Sequence, residues 1–271
     1  EIIQHLDGFS IHNLLLLMGE NAEVNLVHKV RSHLEAEGQA RVLVEFMSDD
    51  NSSLNYLSVN ELSEKQPAYV LRSGFAKRNA RIFCKQVELG EGDSIADTRI
   101  FLIGEGSEST IESIAISDKD QMVGINSRII NYASHTRGDI HQKGVTLDQS
   151  TLTFNGIGHI INQAKEADSQ QESRILMLSE NARGDTNPIL LIDEFEVTAG
   201  HAASIGQMPE EEYYYLISRG ITPHEAMRLY ALGFLKSTIT GDFYEELYDL
   251  NAALEKHPEF KLELVDFLTD L

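Results

Sequence analysis

Tryptophan is absent from this sequence, cysteine occurs once, and basic residues are scarce. Each shortage excludes something. The single cysteine, Cys84, permits no internal disulfide, so a reducing, cytoplasmic setting is the expectation. Lys and Arg number 22 against 43 Asp and Glu, a net charge of −21. Such a field repels phosphate backbones and anionic membranes, so nucleic acid and acidic lipid are poor partners. The longest apolar run, residues 14–18, is far too short to cross a bilayer. The opening Glu1-Ile2-Ile3 lacks the charged, apolar and small-residue order of a signal peptide, and the missing initiator methionine is read as a truncated N-terminal edge. With 42% hydrophobic and 24% charged residues, the composition is that of a folded domain and not of a disordered chain.

What is present is β-rich. Short runs at 14–17, 24–27, 41–46, 69–71, 81–87, 98–103, 109–116, 124–130, 151–154, 159–161, 174–178 and 189–192 read as strands between polar or glycine-bearing breaks. Only a stretch around 23–37 hints at a helical period. The breaks also recur: GENAEVNLV (19–27), KRNARIFCKQV (77–87) and SENARG (179–184) each set Asn-Ala at the edge of a strand. Asparagine tolerates the left-handed conformation of a tight corner, and alanine fits inside it. Recurrent corners with few two-residue hairpin signals predict a mainly β chain coiled on itself, a right-handed parallel β-helix solenoid with a C-terminal helical domain. A β-sandwich is the rival that strand count alone permits.

The grammar changes at VTAGHAASIGQMPEEEYYYLISRGI (197–221). Pro209 suits a helix start, and Glu210, Glu211 and Glu212 complement the helix dipole in the first turn. This helix should stop near Gly220. Thr222, Pro223 and Glu225 then supply the N-cap, first turn and capping box of a second helix, with Ala226, Leu229, Tyr230, Gly233 and Phe234 on one face. Stretches at 243–254 and 260–268 read as further helices. The expected domains are a β coil over 1–205 and a helical domain over 206–271.

From about residue 135 to 235 the chain resembles the SufB/SufD family of iron–sulfur cluster assembly proteins. The matching pieces are HTRGDIHQKGVTLDQSTLTFNGIGHIINQAKEADSQQESRILML (135–178), NARGDTNPILLIDEFEV (181–197), His201-Ala202-Ala203, IGQMPEEEYYYLISRGI (205–221) and EAMRLYALGFL (225–235). The SufD-like branch is favoured, because Ala202 stands where SufB-type proteins carry a glutamate, and the coil holds only Cys84. The resemblance implies a non-enzymatic scaffold that pairs through its β-helix with a SufB-like subunit, or with itself when isolated. It implies that the helical domain docks a SufC-like ATPase, here through Glu210, Glu211, Tyr213, Tyr214, Arg219, Gly220 and Ile221. It also implies that His201 is a metal ligand to a transient iron–sulfur cluster shared with the partner subunit, with no cofactor in the isolated chain. Some members carry a cysteine two residues before this histidine; this chain has Ala199.

Each candidate has a plainer reading. A lone histidine after a glycine is commonly a turn residue bonded to a carbonyl, and ligation needs several converging donors. His135 and His141 are six apart, but no cysteine or third histidine accompanies them, and ordinary surface histidines are the better account. Cys84 reads as core packing. Asp93, Asp97, Asp118, Asp120 and Asp139 could be assembled into a carboxylate pair of a β-helix enzyme acting on an acidic or sugar polymer. The basic and aromatic residues such a site needs are sparse, so solvated corner carboxylates fit better. GEGDS (90–94) and GEGSES (104–109) neither continue to Lys-Ser/Thr nor open a helix, which argues against a phosphate loop. Tyr213, Tyr214 and Tyr215 cannot share one helix face, so at least one is expected to be left for a neighbouring subunit.

Overall fold

The structure is a computed structural model that describes residues 1–33 and 35–237, the side chain of His224 apart. The helical stretches expected at 243–254 and 260–268 lie outside the described residues. Two compact units divide the chain, Glu1–Gln207 and one that begins at Met208.

The first unit is a parallel β-solenoid of about seven turns. Its fifteen strands are β1 (Ile2–Leu6), β2 (Ser10–Met18), β3 (Glu23–Ser32), β4 (Ala40–Ser48), β5 (Ser53–Glu61), β6 (Ala68–Ala76), β7 (Arg81–Glu88), β8 (Ser94–Leu102), β9 (Glu108–Ser117), β10 (Met122–Asn131), β11 (Arg137–Thr146), β12 (Thr151–Ile160), β13 (Asp168–Met177), β14 (Arg183–Ile192) and β15 (Thr198–Gly206). The odd-numbered strands form one sheet and the even-numbered strands the other, each strand pairing in parallel with the strand two places on. Register partners lie between 26 residues apart (Tyr69 and Ile95) and 32 apart (Thr153 and Asp185). This drift in coil length explains why the sequence shows corners more clearly than a fixed repeat.

The corners are stacked. Asn21, Asn51, Asn79, Gly106, His135 and Glu166 all have φ between 54° and 69°. Each donates its backbone N–H to a carbonyl one coil further on, for example Asn79 to Glu105 at 3.0 Å and His135 to Lys165 at 2.8 Å. The asparagines also form a side-chain ladder, Asn79 to Asn51 at 3.1 Å and Asn51 to Asn21 at 3.3 Å. The small residue that follows, Ala80 or Ser52, tucks into the coil fully buried. Asn181-Ala182 belongs to the opposite row of corners, and Asn181 is not left-handed.

Several expectations are corrected. The stretch at 23–37 is no helix: it contains β3, whose Val24 and Leu26 pack inward by strand alternation. The runs at 151–154 and 159–161 belong to one strand, β12, because Gly156 is a strand residue in register with Ser127 and not a turn. Strands β1, β5, β11 and β15 have no counterpart in the expected set. In β11, Gly138 does not break the run. A Cβ there would meet Ile129 Cγ2 at 2.6 Å, so glycine fits where the interior is already full.

Inward-facing Phe46, Tyr56, Ile82, Ile100, Ile111 and Ile129 fill the interior. A polar seam also runs through it. His28, Ser58, Gln86, Ser113, Gln142 and Ser173 occupy successive rungs of one sheet and face Arg72, Thr98 and Ser127 of the other. Side-chain hydrogen bonds link them in sequence. Arg72 Nη2 donates to Ser58 at 2.8 Å and Nη1 to Gln86 at 2.6 Å, and Gln86 donates to Ser113 at 2.6 Å. Ser113 and Ser127 lie 3.3 Å apart, Gln142 donates to Ser127 at 3.1 Å, and Ser173 donates to Gln142 at 2.8 Å.

The second unit contributes helices α1 (Glu210–Ser218) and α2 (Pro223–Lys236). Thr222 and Glu225 form the expected capping box, and Gly220 turns the chain with φ of 88°. The expected apolar face of α2 is corrected: Leu229 and Gly233 are exposed, whereas Ala226, Ala231, Leu232 and Leu235 are buried. Nine residues separate Ala226 from Leu235, which puts them on opposite sides of the helix, about 180° apart. A single stripe therefore does not describe its packing.

Candidate functional site

His201 stands on β15, the last strand of its sheet, in register with Gln171. The same register column runs back through Ile140, Ile111, Cys84 and Tyr56, all inward-facing and buried. His201 thus occupies a lumen-facing position on the final coil, where no further coil covers it, and it is exposed. The mouth is apolar around it: Ile192 and Ile205 are 43% and 41% exposed, in a coil whose equivalents further back are buried. One rung below, Gln171 reaches across the lumen. Its Nε2 donates to the carbonyl of Ile189 at 2.9 Å, and its amide lies against Gly156 and Gly158 of the facing sheet. Gln171 therefore floors the mouth. The sequence reading missed it, because a glutamine in QQES (170–173) gives no sign of facing inward until register is known.

The arrangement supplies one imidazole and no closed metal site. Among the described residues, no group of three or more His, Cys, Asp or Glu side chains is placed to hold a metal ion. Any cluster at His201 needs donors from another chain.

The other candidates are dispersed. His135 is a corner residue, its ring 3.3 Å from Glu166 and 3.9 Å from Glu105. His141 stands on the outer face of β11, 4.0 Å from Glu172, so the two histidines do not share a site. Cys84 is buried, and burial pushes its thiol pKa up to about 11. Asp97 pairs with Arg99, Asp139 with Arg137 at 2.9 Å, and Asp93 accepts the Met122 amide at 2.8 Å. These carboxylates are spent on local structure and do not converge.

In the helical unit, Glu210, Glu211, Tyr214, Arg219 and Gly220 are exposed, and Tyr213 and Ile221 are half-buried. Tyr214 and Tyr215 are 65% and 58% exposed, as expected of a run that no single face absorbs. Arg219 lies over the Tyr215 ring at 5.2 Å from its centroid, which holds both side chains on the surface. A shallow cleft of about 320 Å³ opens between the helices, lined by Glu211, Glu212, Tyr215, Leu216 and Tyr230. Tyr215 and Tyr230 are additions to the expected set; burial, then Glu212, raises the Tyr230 hydroxyl pKa. Among the described residues, no helix is long and apolar enough to cross a membrane.

Comparison with known proteins agrees with this geometry. The sequence pattern of the family described as "SUF system FeS cluster assembly, SufBD core domain" matches residues 2–234. The chain is 37% identical over 235 residues to the iron–sulfur cluster assembly protein SufD of Bacillus subtilis strain 168, covering 86% of this chain and 54% of that protein. It is 25% identical over 251 residues to an iron–sulfur cluster assembly SufBD family protein of Staphylococcus epidermidis strain ATCC 12228, covering 92% and 53%. A SufBD family protein of Staphylococcus aureus strain USA300 is 24% identical over the same length, with the same coverage. The chain spans about half the length of the curated relatives it matches.

Proposed function

The chain belongs to the SufB/SufD family, on its SufD-like side, and from that premise we propose that it is a non-catalytic scaffold subunit on which iron–sulfur clusters are assembled. The observation that carries the reading is the family match over 2–234 on a coil whose final, uncovered rung presents His201. The coil pairs through its open end with a SufB-like subunit. Isolated from that partner, it pairs with a second copy. Strand edges left open at the end of a solenoid favour such pairing, because their backbone groups otherwise have only water to bond.

The nascent cluster is the cargo of this assembly, and the chain alone holds no cofactor. His201 supplies one neutral imidazole, and the partner supplies the remaining donors. An imidazole in place of a thiolate raises a cluster's potential and weakens its hold, which suits a scaffold that must pass the cluster on. Gln171, as the floor of the mouth, keeps the ring facing outward. The helical unit docks a SufC-like ATPase through the exposed surface of Glu210, Glu211, Tyr213, Tyr214, Arg219, Gly220 and Ile221, a mixture of aromatic and arginine side chains of the kind that anchors interfaces. The setting is cytoplasmic. Co-purification with SufB-like and SufC-like subunits, followed by iron and sulfide analysis, tests the reading. A stable complex that carries both elements is expected; a chain that associates with neither subunit contradicts it.

A further inference from the structure

The corner between β14 and β15 reads Asp193-Glu194-Phe195-Glu196, and Phe195 is 97% exposed, more than any other large apolar side chain among the described residues. Single exposed apolar residues are ordinary on protein surfaces. What sets Phe195 apart is the turn beneath it. Glu194 Oε1 accepts the Phe195 amide at 2.8 Å, and Oε2 accepts the Gln163 amide at 2.9 Å. The Asp193 amide donates to Ile160 at 2.9 Å, and the Glu166 amide donates to the Glu196 carbonyl at 2.7 Å. Asn162 Nδ2 donates to the Asp193 carbonyl at 3.3 Å. The ring is therefore presented by a backbone already fixed in place, and little ordering entropy remains to be lost on docking.

Two further features define what could receive it. The aromatic ring is surrounded in sequence by three carboxylates. The two amides hold the Glu194 carboxyl below the ordinary carboxylate range, the Phe195 amide contributing most, so the turn is anionic at neutral pH. Beside it lies the open end of the coil, with Ile189, Leu191, Ile192 and Ile205 each 40–45% exposed. A complementary surface needs an apolar pocket for the ring, a rim of lysine or arginine for the carboxylates, and apolar area continuous with both.

We infer that Phe195 is the anchor by which the open end of the coil seats on its partner subunit, entering an apolar pocket rimmed by basic side chains. This rests on the reading of the coil as a paired subunit. A second copy of this chain is a poorer occupant, because a two-fold contact centred on Phe195 would bring the acidic turns together.

The test is calorimetric titration of the full chain, and of its Phe195→Ala variant, into the purified SufB-like subunit. Phe195 touches so little of its own chain that truncation should leave circular dichroism and melting unchanged. Affinity should fall roughly thirtyfold, the ~2 kcal/mol expected of an anchor residue at 1.4 kcal/mol per tenfold. Asp193→Asn with Glu196→Gln should reduce the salt dependence of binding. Phe195→Ala binding within twofold of wild type overturns the inference and spares the pairing reading. A wild-type chain that does not bind the SufB-like subunit overturns both. If Phe195→Ala instead dissolves a dimer of this chain in sedimentation while heteromeric affinity stands, the occupant is a second copy and the inference is wrong.

Discussion

Replacing Glu88 with glutamine probes how the interior of the solenoid is held. Glu88 is 4% exposed; its Oε1 accepts from Arg72 Nη2 at 3.1 Å and its Oε2 from Asn60 at 2.5 Å. Arg72 is fully buried, with its remaining bonds to the neutral oxygens of Gln86 and Ser58. Glutamine keeps the volume and one acceptor but removes the negative charge, leaving a guanidinium in the lumen against neutral dipoles. Breaking a buried pair from one side costs about 3–5 kcal/mol, because the surviving ion keeps its desolvation penalty. At roughly 2–4 °C per kcal/mol for a unit of this size, melting should fall by about 6–20 °C. The double variant Arg72→Met with Glu88→Leu removes both charges and should recover most of that loss. Urea unfolding followed by far-UV circular dichroism, with calorimetry on each variant, reads both numbers. Glu88→Gln within about 1 kcal/mol of wild type would refute the reasoning, as would a double variant no more stable than the sum of the singles.

Three other outcomes follow from the same interior. His28 is buried between Tyr56 Oη at 2.7 Å and Gln4 Oε1 at 2.9 Å, and burial, then the charge of Arg72, draws its pKa down from 6.5 to about 4. The unfolded chain therefore takes up this proton first. Its contribution is intact above pH 6.5 and is lost as pH falls towards 4, by about 3 kcal/mol. His28→Gln should flatten that part of the unfolding profile, and an unchanged slope would contradict the assignment. Cys84 should resist iodoacetamide in the native state at mildly alkaline pH and react fully in urea; rapid native labelling would show that the interior opens. At Gly104 a Cβ would sit 2.0 Å from Arg78 N and 2.2 Å from Lys77 C of the preceding coil. Gly104→Ala should cost about 3 kcal/mol or more by forcing backbones apart, read as a lowered urea midpoint, and a neutral result would contradict this packing.

Corners were the most legible part of the fold. Asn21 and Asn79 carry their role in their chemistry, since few other residues accept φ near 60°, and each has a small residue after it. The capping box at Thr222 was legible for the same reason: its bonds are local. What escaped the sequence depends on neighbours about 30 residues away. Gln142 and Gly144 of β11 look like loop residues until the lumen is known to offer Ser127 and Ser173 as partners and to leave no room beyond Gly144. The polar seam breaks the apolar alternation that marks a strand, so β5 and β11 went unread. At the site, the switch from strand to helix located His201 on the final coil, but Gln171 beneath it belongs to the previous coil, 30 positions back.

The central claim is that the open end of this coil contributes His201 to a cluster shared with a partner. Iron and sulfide content of the assembled complex carrying His201→Ala tests it most directly. The account predicts normal folding and normal pairing, since the side chain is exposed, together with a large drop in both elements relative to the wild-type complex. A stably assembled His201→Ala complex with wild-type iron and sulfide would contradict it.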